Sequence, residues 1–363
     1  MRQPKKILVA PLGWGLGHAT RCIPIIELLL REGAEVAIAS DGRALALLRQ
    51  TFPHLKSHEL PGYGIQYRSE SMIWNMAIQL PRIFWAIFQE HRKLSQIVQM
   101  EGIDGIISDN RFGFFYRRKP CVFITHQVNI LTPFRLLSFF VNKFNYLIIS
   151  RFNECWIPDV ADSPNLSGAL SHPIQPYFLK KKTKYLGALS RFQKAVLETP
   201  KVYDAVAVLS GPEPQRSRLE SALIAQAKNI RGKILIVQGK PEMGGLHLPI
   251  PLKNLEIVPS LPLEELENAI AASEVFIGRS GYSTVMDLAR LGKRALLIPT
   301  PGQTEQEYLA EKLLDESVFF TQKQHELDIE TGIAEAKKRS GLQGDFFDKK
   351  SLTTAIESFL RSC

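Results

Sequence analysis

The stretch Gly278-Arg279-Ser280-Gly281-Tyr282-Ser283-Thr284 follows the apolar run Val275–Ile277 and opens a helical pattern that reaches Leu291. Small residues let a backbone come close to a ligand, and the first turn of a helix presents unpaired amides with a partial positive charge. Together they suit a diphosphate, although a glycine-rich turn also serves wherever the chain needs a tight bend. Asp287 lies one turn into that helix, on the side of Ser283 and Thr284. A carboxylate there can accept hydrogen bonds from two ribose hydroxyls, or simply complement the helix dipole. After the next apolar run, Ala295–Ile298, comes a loop stiffened by Pro299 and Pro301, in which Gln303, Gln306 and Glu307 offer hydrogen bonds to the hydroxyls of a sugar.

Similar turns recur upstream. Leu209-Ser210-Gly211-Pro212-Glu213-Pro214-Gln215-Arg216 closes another apolar run, with Ser210 and Gly211 small enough to touch phosphate and Arg216 able to add charge; a proline-capped helix with a surface arginine is the alternative. A nucleobase would be gripped by backbone atoms near Val258–Leu261. Near the N-terminus, Gly13-Trp14-Gly15-Leu16-Gly17-His18 follows Ile7–Ala10, so Gly15 and Gly17 can admit a ligand and His18 can take a proton from a hydroxyl or orient a phosphate. Dinucleotide binding is the rival reading of such a loop, kept open by Asp41 after the second apolar run. Two further polar segments end apolar runs: Ser108-Asp109-Asn110-Arg111 and Thr125-His126-Gln127-Val128-Asn129. Asp109 is therefore a competing base and His126 a third, unless these residues only satisfy strand-end turns.

The elements that must position these residues alternate. Ile7–Ala10, a helix through Pro24–Arg31, Val36–Ser40, Ile103–Ser108, Cys121–Thr125 and Cys155–Ile157 make one βα series. Ala205–Leu209, Ile234–Gln238, Leu255–Val258, Val275–Gly278 and Ala295–Ile298 restart it. The plan predicts an α/β protein of two Rossmann-like parallel-sheet domains facing a central cleft. The boundaries are 1–185 for an acceptor-binding domain, 186–202 for a linker, 203–345 for a donor-binding domain and 346–363 for a helix returning to the first domain.

The order R-S-G-x-x-T-x-x-acid, then P-x-P-x-x-x-x-Q, resembles the C-terminal domain of glycosyltransferase family 28. This group includes the bacterial enzyme that adds N-acetylglucosamine to lipid I and the plant galactolipid synthases. The resemblance implies a GT-B fold, a UDP-sugar as donor substrate with no other cofactor, an inverting reaction, no catalytic metal, and a glycan or lipid-linked acceptor. It places the ribose acid at Asp287 and the donor-sugar pair at Gln306 and Glu307, where the family has Glu and Gln-Gln. The glycine loop ending in His18 and the segment from His126 to Asn129 are similar to the family's N-terminal motifs, with Gln127 where its acid lies. A UDP-sugar 2-epimerase and a non-catalytic nucleotide-sugar-binding subunit share the implied fold, and a dehydrogenase is a third alternative.

Bulk properties narrow the setting. The net charge of +9 belongs to the first half: residues 1–185 carry 23 Lys and Arg against 13 Asp and Glu, while 186–363 carry 22 against 23. That bias fits an anionic membrane surface or an acidic substrate; nucleic acid is not expected, since no binding motif accompanies it. Met72–Ile78 and Ile83–Phe88 are rich in Trp, Phe and Met beside Arg82, Arg92, Lys93, Arg117, Arg118 and Lys119, as a lipid-facing surface or a core helix would be. No run reaches the roughly 20 apolar residues of a membrane span. The first residues lack a secretory signal, and the four cysteines have neither disulfide nor zinc spacing. A cytoplasmic protein, peripheral on the inner membrane face, is the expectation.

Overall fold

The computed structural model describes residues 3–63, 72–174, 176–192, 200–228, 230–240 and 254–363, apart from the side chains of 72–78 and 80. Two compact units emerge. Met1–Ile65, Ile73–Arg191 and Asp345–Cys363 form the first, and Phe192–Gly344 makes up the body of the second.

In chain order the first unit runs β1 (Lys6–Pro11), α1 (Leu16–Arg31), β2 (Glu35–Ser40), α2 (Gly42–Thr51), β3 (Lys56–Glu59), α3 (Met72–Glu101), β4 (Gly105–Asp109), β5 (Cys121–Ile124), α4 (Arg135–Ser150), β6 (Glu154–Ile157), α5 (Tyr177–Lys180) and β7 (Thr183–Tyr185). Its seven strands are parallel in the order β3-β2-β1-β4-β5-β6-β7. The central strands are buried along nearly their whole length, which is why they read as continuous apolar runs. The edge strands β3 and β7 do not, because Lys56-Ser57-His58-Glu59 and Thr183-Lys184-Tyr185 are only partly covered. Helix α1 begins at Leu16, about two turns before the Pro24 start read from the sequence.

The second unit continues with β8 (Tyr203–Val208), α6 (Gln215–Ala227), β9 (Ile234–Val237), β10 (Leu255–Val258), α7 (Leu263–Ala271), β11 (Ser273–Gly278), α8 (Tyr282–Leu291), β12 (Arg294–Leu297), α9 (Thr304–Asp315), β13 (Phe320–Thr321) and α10 (Ile329–Lys337). Its six parallel strands are ordered β10-β9-β8-β11-β12-β13. Residues 186–191, read as linker, instead continue the first unit: Leu186 N–H donates to Ile157 O at 2.9 Å and Gly187 N–H to Asp159 O at 3.0 Å. The last helix, α11 (Lys349–Ser362), also belongs to the first unit, where Phe359 meets the buried Trp156 edge to face at 5.9 Å. Gly105 makes room for it, since a Cβ there would collide with Phe359 and Cys363.

Both sheets change direction at one pair of central neighbours, β1 with β4 and β8 with β11. Loops leaving such a switch point diverge and open a crevice at the carboxyl ends of the strands. Each of the sequence's glycine-rich turns leaves one of these four strands.

Candidate functional site

In the first unit, β1 leads into the loop that holds Gly13 and Gly15. Gly15, at φ +99°, precedes α1 in a conformation that favours glycine. His18 and Arg21 stand on the first turns of α1, Asp109 ends β4, and His126 lies just past β5. These four converge. Asp109 is fully buried; its Oδ2 accepts from Arg21 Nε at 2.6 Å, its Oδ1 accepts from the other arm of the guanidinium, and His18 Nδ1 is 2.9 Å from Oδ1. The remaining Arg21 arm donates to His126 Nδ1 at 2.8 Å.

Burial by itself would raise the Asp109 carboxyl, but the Arg21 guanidinium, supported by His18, holds it well below the ordinary carboxylate range. Burial lowers His18 and Arg21 adds to that, against the pull of Asp109 upward. Two tautomers fit the geometry. With its proton on Nδ1, His18 donates to Asp109 and keeps a basic Nε2; with its proton on Nε2, Nδ1 accepts from Arg21 at 2.9 Å. Asp109, read as a competing base, is enclosed beneath His18 and Arg21, and His126 is buried behind Arg21. Of the three candidates His18 is the most accessible, with 16% of its side chain exposed.

Asp41 is turned to another task. Arg111, fully buried, binds Asp41 and Glu90 through its two arms and donates from Nε to Pro11 O at 2.9 Å, while Tyr63 donates to Glu90 at 2.7 Å. A Cβ on Gly13 would collide with the Asp41 carboxylate, and one on Gly62 would stand 2.8 Å from it. The acid that kept dinucleotide binding open is thus part of a buried ion-pair network, and Gly13 makes room for it.

In the second unit, Gly281 precedes α8, whose first turn carries Tyr282, Ser283 and Thr284, with Asp287 half-buried one turn on. The Glu305 carboxylate stands 3.4 Å from Tyr282 N, so one anionic group already faces this helix start. Two arginines read as ligand groups are committed elsewhere. Arg216 is buried and spends its donors on Glu213, Glu220, Ser217 and Gln238 O. Arg279 donates to Ile298 O, Pro299 O, Gln215 O and Gln324, stapling three loops, and burial lowers it to about 10. Those bonds use both terminal nitrogens, while Nε has no partner among the described residues.

Ser280 Oγ donates to Gln306 O at 2.7 Å, and Gln306 Oε1 accepts from Thr300 N at 2.9 Å, which braces the loop after β12 against the start of α8. Glu307 is exposed and accepts from Gly302 N at 2.8 Å, closing the same loop. Ser210 and Gly211 follow β8, with Gly211 at φ +104°, and Gln303 precedes α9. Among the described residues no group of three or more His, Cys, Asp or Glu side chains is placed to hold a metal.

Residues 220–343 match the model of the glycosyltransferase family 28 C-terminal domain. That stretch lies within the second unit. An uncharacterized glycosyltransferase from Methanosarcina acetivorans is 24% identical over 83% of this chain and 81% of its own length. A UDP-N-acetylglucosamine–N-acetylmuramyl-(pentapeptide) pyrophosphoryl-undecaprenol N-acetylglucosamine transferase from a Methylobacterium species is 26% identical over 84% and 79%. Among solved structures, MurG from Acinetobacter baumannii superposes with a TM-score of 0.53 at 13% identity, covering 99% of this chain and 95% of its own. The glycosyltransferase SnogD from Streptomyces nogalater gives 0.58 at 14% over the same shares. The chain is a glycosyltransferase with the GT-B fold, and residues 220–343 carry its similarity to the family 28 C-terminal domain.

Sequence reading of this glycosyltransferase missed Arg21, which no motif marks because its partner Asp109 lies 88 residues away. It also gave no functional role to α4. Phe139, Phe140, Phe144 and Leu147 are exposed there, and Phe144 meets Phe84 of α3 edge to face at 6.0 Å. Phe84, Trp85 and Phe88 on α3 are exposed as well, while Ile83 and Ala86 turn inward. The part of the expected aromatic surface at Met72–Ile78 lies outside the described side chains. No helix among the described residues is long and apolar enough to cross a membrane.

Proposed function

We propose that this glycosyltransferase moves a hexose or N-acetylhexosamine from a UDP-sugar to a hydroxyl of a lipid-linked or envelope glycan, with inversion and without a catalytic metal. The start of α8 carries this reading. Its first-turn amides, preceded by Ser280 and Gly281, meet the charge of a leaving diphosphate, and Asp287 holds the ribose. His18 is the base: its Nδ1–H donates to Asp109, and Nε2 takes the acceptor proton as the hydroxyl attacks the anomeric carbon. Asp109 positions the imidazole, and Arg21 keeps Asp109 ionised.

The acceptor class is supported by the α3 and α4 surface. Arg92 lies over the Phe88 ring at 5.9 Å and Lys143 over Phe139 at 4.4 Å, so exposed aromatics and cations alternate as they do where a protein rests on anionic lipid. A cavity of about 370 Å³ lined by His91, Phe115, Tyr116, Arg117 and Arg118 adds cationic lining beside α3.

Calorimetric titration with UDP tests the donor assignment. Asp287→Ala is expected to weaken UDP binding about tenfold, the loss of hydrogen bonds to a charged acceptor, whereas His18→Ala leaves it intact and lowers turnover. Unchanged UDP affinity in the Asp287 variant refutes the ribose role. Mass analysis of the donor without acceptor separates transfer from 2-epimerisation. Flotation with anionic vesicles at low salt tests the lipid surface, with loss of binding expected for Trp85→Ser combined with Phe140→Ser.

A further inference from the structure

Thr300 is 1% exposed, and its hydroxyl has no hydrogen-bond partner among the described residues. Its backbone is satisfied, since N donates to Gln306 Oε1 at 2.9 Å and O accepts from Gln303 N at 3.0 Å. A buried hydroxyl without a partner costs stability that valine, of nearly the same shape, would avoid. Two glycines show where it faces. The position a Cβ would take on Gly211 is 3.8 Å from Thr300 Oγ1, and among the described residues no other heavy atom beyond its chain neighbours lies within 4 Å. On Gly281 the corresponding position is 3.8 Å from Gln306 Nε2, again with nothing else as close. Gln306 itself accepts from Thr300 N, so Thr300 and Gln306 link the Gly211 turn to the Gly281 turn across the ends of the neighbouring strands β8, β11 and β12.

We infer that Thr300 Oγ1 donates a hydrogen bond to a phosphoryl oxygen of the nucleoside diphosphate, which spans from the Gly211 turn to the start of α8. This rests on the donor-site reading above and adds to it a residue that is poorly satisfied until the ligand arrives. Both glycines leave open space, and the nearest side-chain atoms to it among the described residues are the polar Thr300 Oγ1 and Gln306 Nε2.

The test compares the parent enzyme with Thr300→Val and Thr300→Ser by thermal unfolding and by calorimetric titration with UDP and with uridine. Thr300→Val is expected to raise the melting temperature of the free protein and weaken UDP about tenfold, with uridine affinity unchanged; Thr300→Ser keeps UDP affinity near the parent's. The opposite signs exclude simple misfolding, which would lower both quantities. A Thr300→Val protein that binds UDP as tightly as the parent overturns the assignment and leaves the donor site standing. A parent that binds no UDP removes the donor reading and this assignment together.

Discussion

Arg21 shows what decides the roles of the N-terminal polar residues. Asp109 and His126 each have the chemistry of a base, yet one buried guanidinium bonds both, and a carboxylate held ionised by such a neighbour is a weak proton acceptor. In the proposed mechanism its value lies in orienting His18. Because the His18 pKa is lowered from the ordinary 6.5, the free base is the neutral-pH form, so activity is present above that pKa and falls only as pH drops through it. The acid limb of kcat/KM is therefore expected below pH 6.5. Asp109→Asn removes a charge that pulls His18 upward while Arg21 remains, so the limb moves to still lower pH as kcat falls. A limb that stays in place, or moves up, sinks the dyad. Stability follows the same sign for Asp109: with its pKa depressed, its contribution is held above the ordinary 3.8 and lost as pH falls further.

Elements are held by ion pairs that sequence pattern cannot display. Gly13 opens the glycine loop after β1, and its missing Cβ admits the Asp41 carboxylate, which Arg111 ties to Glu90 on α3. Gly13→Ala is expected to cost about 1–3 kcal/mol through overpacking, seen as a lower urea midpoint with unchanged slope; an unshifted midpoint would show that the loop relaxes freely. The strand-to-helix turns of the second unit were legible for the opposite reason: their residues are contiguous, and a run of small residues between strand and helix marks the turn without any distant partner. The carboxylates and carbonyls that Arg216 and Arg279 meet were not legible, because an arginine near a small-residue turn looks the same in sequence whatever its terminal nitrogens bond. Central strands were legible from unbroken burial; β3, β7 and the two-residue β13 were not, since edges carry no such signal.

At the scale of the whole molecule, the chain ends by returning to the unit in which it began. Helix α11 buries Ile356 and Phe359, sets Phe359 against Trp156, and fills the space left by Gly105 beside β4, whose last residue is Asp109. The second unit has its own core, so the two are expected to respond separately to damage. Phe359→Ala removes a large buried ring, a loss of about 3–5 kcal/mol in a core that cannot fully collapse, and that loss falls on the first unit. Calorimetric unfolding of the variant should show one transition moved to lower temperature, while the transition that UDP raises keeps its midpoint and its shift. If the UDP-responsive transition falls as well, α11 supports both units, and the donor domain depends on a helix outside its own sequence.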